Sequence, residues 1–271
     1  MRFNRMKTKY KIIVILYFCI RIKRSLRVVM SNPFTNLTKK EWGFWMCSLI
    51  IMIASNVLSG DFDVLTLIAA CIGVTSLIFA AKGNVWSQIL MIIFSILYGI
   101  ISWQFRYWGE MITYLGMTMP MAIWSTITWI KNPSASGKEV EIQKLTKKHV
   151  ILLIISGIVV TALFFEILRV LNTPNIVFST ISVTTSFFAA SLTMLRSSYY
   201  AMGYATNDIV LIVLWILASI HEPRYISVTI IFVIFFCYDM YGFVSWKKRE
   251  VMSCCSRGEA DRKYINLFEE A

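Results

Sequence analysis

The chain is poor in charge. Asp, Glu, Lys and Arg make up 15% of its 271 residues, against ~25% in soluble domains. It has two histidines, His149 and His221, both at the ends of apolar stretches. No His-x-x-x-His occurs, and no Glu-Glu pair lies within those stretches. Metalloproteases and lipid-modifying enzymes of the membrane need such clusters at helical spacing, so an intramembrane enzyme is disfavoured. No Gly-rich loop runs into Lys-Ser/Thr, so the chain lacks the means to hydrolyse ATP itself. The six cysteines, Cys19, Cys47, Cys71, Cys237, Cys254 and Cys255, have no metal-ligand spacing. Most lie in or beside apolar runs, where cysteine acts as a small hydrophobe; Cys254-Cys255 reads as a reduced cytoplasmic pair. No metal or cofactor is expected. Residues 1–40 contain no Asp or Glu beside eleven Lys and Arg.

Apolar residues are abundant instead, at 57%. Eight stretches between Trp42 and Trp246 are each long enough to cross a bilayer. About 20 apolar residues at 1.5 Å rise cover the ~30 Å hydrocarbon core. Lipid then forces each stretch into a helix, because no water is there to satisfy the backbone. The expected spans are 42–59, 64–82, 85–105, 108–131, 149–170, 177–196, 199–220 and 225–247. This is an all-α membrane protein with one membrane domain over residues 41–249.

Loop charge orients the spans. Lys82, the loop 132–148 with Lys138, Lys144, Lys147 and Lys148, then Arg196, and Lys247-Lys248-Arg249 all fall on one side, which the positive-inside rule makes the cytoplasm. Asp61, Asp63, Pro174 and His221-Glu222-Pro223 fall on the other. Arg106, Arg169 and Arg224 are single exceptions near outer ends. Both termini are then cytoplasmic, in a multi-pass protein of the plasma membrane. The basic segment 1–40 reads as a cytoplasmic flank and not as a nucleic-acid arm. Within it, Ile12–Ile20 is too short to span; it fits a surface-lying segment, or translation starts at Met30. Trp42, Trp45, Trp86, Trp103, Trp108, Trp129 and Trp246 are expected as interfacial anchors. Residues 250–271 read as a mobile cytoplasmic tail.

The chain repeats itself. Gln104-Phe105-Arg106-Tyr107 resembles Glu222-Pro223-Arg224-Tyr225. Each Arg-Tyr opens a span ending in Trp-(Ile/Lys)-Lys, with Arg-to-Trp spacings of 23 and 22 residues. Two further spans precede each. Repeats over 64–131 and 177–248, joined by the linker helix 149–170, enter the membrane in the same sense. Parallel repeats about an axis along the membrane normal are a transporter design, with the substrate near the midplane.

On Ala80-Ala81-Lys82-Gly83-Asn84, Leu97-Tyr98-Gly99, Thr185-Ser186-Phe187-Phe188-Ala189 running to Leu192 and Arg196, and Tyr241-Gly242-Phe243-Val244-Ser245-Trp246, the chain resembles the PnuC-type nicotinamide riboside transporters. The resemblance covers about residues 41–249. It implies a fold like the SWEET sugar transporters: a three-one-three parallel repeat, with an extra N-terminal helix at 42–59. It also implies a homotrimer and uptake of an unphosphorylated NAD precursor by facilitated diffusion, trapped by a cytoplasmic kinase. Relatives carry thiamine, riboflavin or deoxynucleosides, so a related vitamin or nucleoside is the alternative cargo. Family members place a Trp-x-x-Trp pair at the start of the helix corresponding to 199–220. This chain has Tyr199-Tyr200 and Tyr204 there, which puts the aromatic stack on tyrosine or elsewhere.

Ionisable groups inside the membrane are costly and mark function. The substrate-binding candidates are Asn207, Asp208, Asp239, Glu110, Gln88, Tyr98, Tyr114, Tyr204, Trp124 and Trp215. Nicotinamide riboside carries a pyridinium cation, which aromatic faces hold; Trp215, Tyr204, Tyr98 and Trp124 offer such faces. Its ribose and carboxamide need hydrogen-bond partners, which Asn207, Gln88, Tyr114 and Asp208 offer. Gln88 aligns with Thr206, beside Asn207, so a polar site repeated in both halves is expected. Plainer readings stand beside these. Asn207-Asp208 fits a helix cap, Glu110 a salt bridge to Arg106, and Asp239 a pairing with a basic residue. Ser179, Thr180, Ser182, Thr184, Thr185 and Ser186 fit helix-packing contacts. No cluster of Arg lies inside the spans to clamp a phosphate.

Overall fold

The computed structural model describes residues 32–58, 63–104, 107–134, 137–173 and 175–269. The basic arm with Ile12–Ile20, Cys19 and Met30, together with Asp61, Phe105, Arg106 and Pro174, lies outside the described residues.

Among the described residues eight long helical segments follow in order: α1 (Lys39–Leu58), α2 (Val64–Ala81), α3 (Trp86–Gln104), α4 (108–131), α5 (Lys147–Val170), α6 (Ile176–Met194), α7 (Tyr200–His221) and α8 (Ile226–Glu269). All except α4 are single helices long and apolar enough to cross a membrane. Their ends match the sequence expectation to within three residues, save one. The segment after Arg249, expected as a mobile tail, continues α8 to Glu269.

The helix starts follow from local chemistry. Asp63 caps α2 by accepting from the Leu65 amide at 2.9 Å. Thr146 caps α5, and the His149 ring accepts from the Thr146 amide in turn, closing a capping box. α4 is interrupted. Residues Thr113–Thr118 form a wider π turn between Trp108–Ile112 and Met119–Lys131. Pro120 lacks an N–H and so cannot bond back to Gly116; the register slips one residue before it.

Consecutive helices pack side by side in each trio, α2 with α3 with α4, and α6 with α7 with α8. The trios then meet crosswise, α2 against α8 and α4 against α6. α1 lies outside this ring on α2 and α8, and α5 lies outside on α6. α5 has only 6% of its span buried. Small residues allow the closest approaches. At Gly203, a Cβ would sit 2.9 Å from the Ala189 backbone, so α6 and α7 touch through their main chains.

Residues 137–146 fold over one end of the bundle. Val140 donates its amide to Gly83, and Gln143 donates to Arg196. Arg249 hydrogen-bonds Glu139 at 2.8 Å and the Ala81 and Lys82 carbonyls. The basic segments thereby gather at a single end.

Two tryptophans depart from expectation. Trp129 and Trp246 are 0% exposed and are not interfacial anchors. Each closes a helix end across the ring: Trp129 Nε1 donates to the Thr193 carbonyl at 3.0 Å, and Trp246 Nε1 to the Ala80 carbonyl at 2.8 Å. Their rings meet, with centroids 5.6 Å apart. A buried indole N–H needs a partner, and helix C-termini offer free carbonyls.

Candidate functional site

A column of aromatic rings runs along the centre of the ring of helices, with one polar layer in it. At the end away from the basic loops, Trp215 packs on Tyr107 and Tyr225 at 5.1 and 5.6 Å between centroids. Burial, and then the neighbouring Tyr225, Glu222 and Glu110, push the Tyr107 phenol up to about 12, so it stays protonated. Tyr98 follows, 6.0 Å from Phe232 and 4.5 Å from Tyr114. Phe94 then bridges Tyr114 and Phe235, at 5.9 and 5.8 Å. At the basic end Tyr200 and Trp246 pack at 4.7 Å, beside Trp129.

The polar layer lies between Phe235 and Tyr200. It lines a cavity of about 30 Å³, which holds a water molecule or two and no nucleoside. All six ring helices contribute to its wall. Gly73 and Leu77 come from α2, Met91 and Phe94 from α3, Tyr114 and Thr118 from the π turn of α4 and Ser186 from α6. Tyr204, Asn207 and Asp208 come from α7, and Phe232, Phe235 and Asp239 from α8. α1 and α5 contribute nothing to the lining.

Asn207 is the hub. Its Oδ1 accepts from Thr185 at 2.8 Å, Ser186 at 3.0 Å and Ser182 at 3.4 Å. Since α7 begins at Tyr200, Asn207 lies seven residues inside it, ~10 Å along its axis. It is therefore not a helix cap. Ser182 also reaches Glu110 Oε1 at 3.5 Å, so a polar file leads from α4 to Asn207. Glu110 is buried, and its Oε2 has no hydrogen-bond partner; the expected partner Arg106 lies outside the described residues.

Asp208 and Asp239 are 4% and 3% exposed and within hydrogen-bond reach of each other. The basic partner expected for Asp239 is not found among the described residues. Among the described residues no Lys or Arg is ion-paired with Asp208, Asp239 or Glu110. Charges so buried cost several kcal/mol each unless compensated.

Of the ten candidates, Asn207, Asp208, Asp239, Tyr204 and Tyr114 come together around this cavity. Tyr98 and Trp215 share a second, apolar void of about 10 Å³ beyond Phe94 and Phe232. The Tyr98 hydroxyl and the Trp215 indole N–H are both buried there without a well-formed hydrogen bond. Gln88 is buried near the basic end and donates to Ser87 Oγ. Trp124 is 58% exposed on the outer face of α4, apart from the cavity. Thr206 is exposed too, so Gln88 and Thr206 do not form a repeated polar site. The polar groups come chiefly from α6, α7 and α8.

The Ser/Thr series of α6 divides by face. Ser182, Thr185 and Ser186 serve Asn207, while Thr184 bonds Thr161 of α5 at 2.8 Å as a packing contact. Phe94, Phe232, Phe235 and Thr118 also line the cavity, and sequence reasoning does not single them out. Phenylalanines in an apolar helix have no contrast with their neighbours; the only signal for the π turn is Gly116 before Pro120.

A profile of the nicotinamide mononucleotide transporter family matches residues 63–248. The chain belongs to this family. It is a multi-pass membrane transporter, not an enzyme. Within curated proteins it is similar to the nicotinamide riboside transporter PnuC of Neisseria mucosa. The two are 26% identical over 186 residues, 67% of this chain and 71% of the relative. Its fold is like that in the crystal structure of the vitamin B3 transporter PnuC, with a TM-score of 0.70 at 24% identity, covering 83% of this chain and 95% of that one. The family match holds α2 to α7 and α8 as far as Lys248, the helices that build the cavity and its linker; α1 precedes them.

Proposed function

We propose that the protein carries nicotinamide riboside across the plasma membrane by facilitated diffusion, with a cytoplasmic kinase trapping the product. Family membership and the PnuC relative support the transport of an NAD precursor. The observation that carries the substrate class is the cavity wall: carboxyls and hydroxyls among aromatic rings, with no Lys or Arg ion-paired to the carboxyls among the described residues. Once the helices part to widen the closed space of about 30 Å³, a pyridinium riboside suits that wall through ring stacking, cation–π contact and hydrogen bonds to Asn207. A mononucleotide brings a phosphate, which calls for a basic clamp and meets carboxyls instead. Asn207, Asp208, Asp239, Tyr204 and Tyr114 form the proposed binding set, with Glu110 joined through Ser182. Tyr98 and Trp215 belong to the outer closure, while Gln88 and Trp124 are set aside.

Thiamine is the second reading. Its thiazolium is also a cationic aromatic ring, and Tyr200 and Tyr204 stand where the family's Trp-x-x-Trp pair is expected.

The proposed architecture is a SWEET-like three-one-three parallel repeat of α2–α4 and α6–α8, with α5 as linker and α1 as the extra helix. The crosswise packing of the trios supports it, as do the matching Trp129 and Trp246 bonds and the Tyr107–Tyr225 ring pair at 6.3 Å. Both termini are proposed cytoplasmic, in keeping with the single basic end. A homotrimer is proposed from the resemblance; α5, left almost bare by its own chain, has a broad apolar face for a neighbour or for lipid.

Calorimetric titration of the purified protein with nicotinamide riboside, thiamine, riboflavin and deoxynucleosides tests the substrate. Micromolar binding of the first is expected. Tight binding of another with none of the first overturns the substrate and leaves the carrier.

A further inference from the structure

We propose that Asp208 and Asp239 share a single proton once a cation is seated beside them, so that the pair then holds one negative charge that selects a cationic ring over neutral or anionic molecules of the same shape. This rests on the cavity being the substrate site.

The two carboxyls stand on neighbouring helices, line the same cavity and lie within hydrogen-bond reach. An ionised carboxylate only accepts, so a bond between two carboxyls requires a proton on one of them. Two bare charges so close in a low-dielectric site do not both persist. One proton satisfies the bond, and a cation seated in the cavity displaces the other, which leaves one charge. Asp208 Oδ2 is buried with no hydrogen-bond partner, an acceptor held open.

Among the described residues no Lys or Arg is ion-paired with either carboxyl, so that charge stands only with a cation beside it. The titratable groups facing the pair are Tyr200 and Tyr204 of α7, Cys237 of α8, and Tyr114 of α4 with Glu110 further along it. The cavity residues from α2, α3 and α6 are Gly73, Leu77, Met91, Phe94 and Ser186, none of which titrates. The neighbours are therefore neutral or acidic, and a cation entering between the rings supplies the missing counter-charge. A neutral ring leaves the charge bare and stripped of water, and an anion adds repulsion.

Charge counting gives a sharp test. With a cation seated, the wild-type pair carries one negative charge. In Asp208→Asn or Asp239→Asn the remaining carboxyl ionises against the new amide, so the charge is still one. In the double Asn variant it is zero. The probes are nicotinamide riboside, a cation, and its 1,4-dihydro form, a neutral molecule on the same skeleton, both titrated calorimetrically into the full-length protein.

Wild type is expected to prefer the cation at least ~10-fold, and both single variants to keep that preference. The double variant is expected to lose it while binding the neutral form at least as well as wild type. Equal binding of the two forms by wild type overturns the proposal. So does a single variant that abolishes the preference, or a double variant that keeps it. A folding defect weakens both ligands together, and the single variants then decide. If wild type binds thiamine and not nicotinamide riboside, the substrate reading has failed. The charge test then runs on thiamine against its neutral thiophene analogue, where a preference for the cation supports the shared proton and equal binding overturns it.

Discussion

One oxygen atom holds the polar layer together. Asn207 Oδ1 takes hydrogen bonds from Thr185, Ser186 and Ser182, all from α6. Such interhelical bonds are worth ~0.6 kcal/mol on average in a membrane, so their stabilisation is modest and their effect is positioning. Asn207→Ala removes the acceptor the three hydroxyls share, leaves Thr185 to the Ile181 and Ser182 carbonyls and Ser182 to Glu110, and takes the amide out of the cavity. We expect binding of nicotinamide riboside to weaken about tenfold, with a drop of a few degrees in melting temperature, read by calorimetry and thermal shift together. Trp215 acts differently, because it packs with Tyr107 and Tyr225 at the proposed outer closure. Trp215→Ala is expected to open that end. A cysteine introduced at Ser102, buried near this end, then reacts faster with an externally added thiol reagent in Trp215→Ala than in its parent. At this scale the sequence is most readable where residues break the local pattern. Asn207, Asp208 and Asp239 stand out in apolar surroundings because lipid makes them expensive. Their mutual contact is not readable, since it depends on how α7 and α8 turn toward each other. Phe94, Phe232 and Phe235 are invisible for the opposite reason.

At the scale of a single element, α4 departs furthest from an ideal helix. Its π turn over Thr113–Thr118 carries Tyr114 and Thr118 to the cavity wall, and Pro120 enforces it. Pro120→Ala restores the missing amide and lets the helix close in regular register, shifting the face that carries Tyr114. We expect transport to fall about tenfold while thermal stability holds or rises, measured as uptake rate beside melting temperature. At the α6–α7 seam, a Cβ on Gly203 meets the Ala189 backbone, so Gly203→Val forces the helices apart. Overpacking of this kind costs ~1–3 kcal/mol, and a lower melting temperature in detergent is the readout. Hydropathy suffices to bound the spans, because every one must cross the same ~30 Å. It does not locate the end of α8, since past Arg249 the backbone is no longer constrained by lipid.

The molecule as a whole is two trios clasped crosswise. Trp129 and Trp246 make matching bonds to opposite trios and meet at the basic end. The Arg-Tyr and Trp-Lys spacings in the sequence point to the proposed duplication, yet they suggest anchors at the membrane surface. Position along a helix is readable from sequence, and the angle around it is not when every side is apolar. The proposed topology places both ends of the chain on one face of the membrane. Tags at residue 1 and at residue 271 are expected to be protected from externally added protease in intact cells and cleaved in inverted vesicles. The central claim is that this bundle passes an unphosphorylated cationic riboside through its middle. Uptake of labelled nicotinamide riboside into liposomes containing only the purified protein tests it most directly. We predict saturable entry that needs no ATP, stops when inside and outside concentrations match, and is not competed by the mononucleotide. Liposomes that take up no riboside beyond protein-free controls, or that take up the mononucleotide in preference, would contradict it.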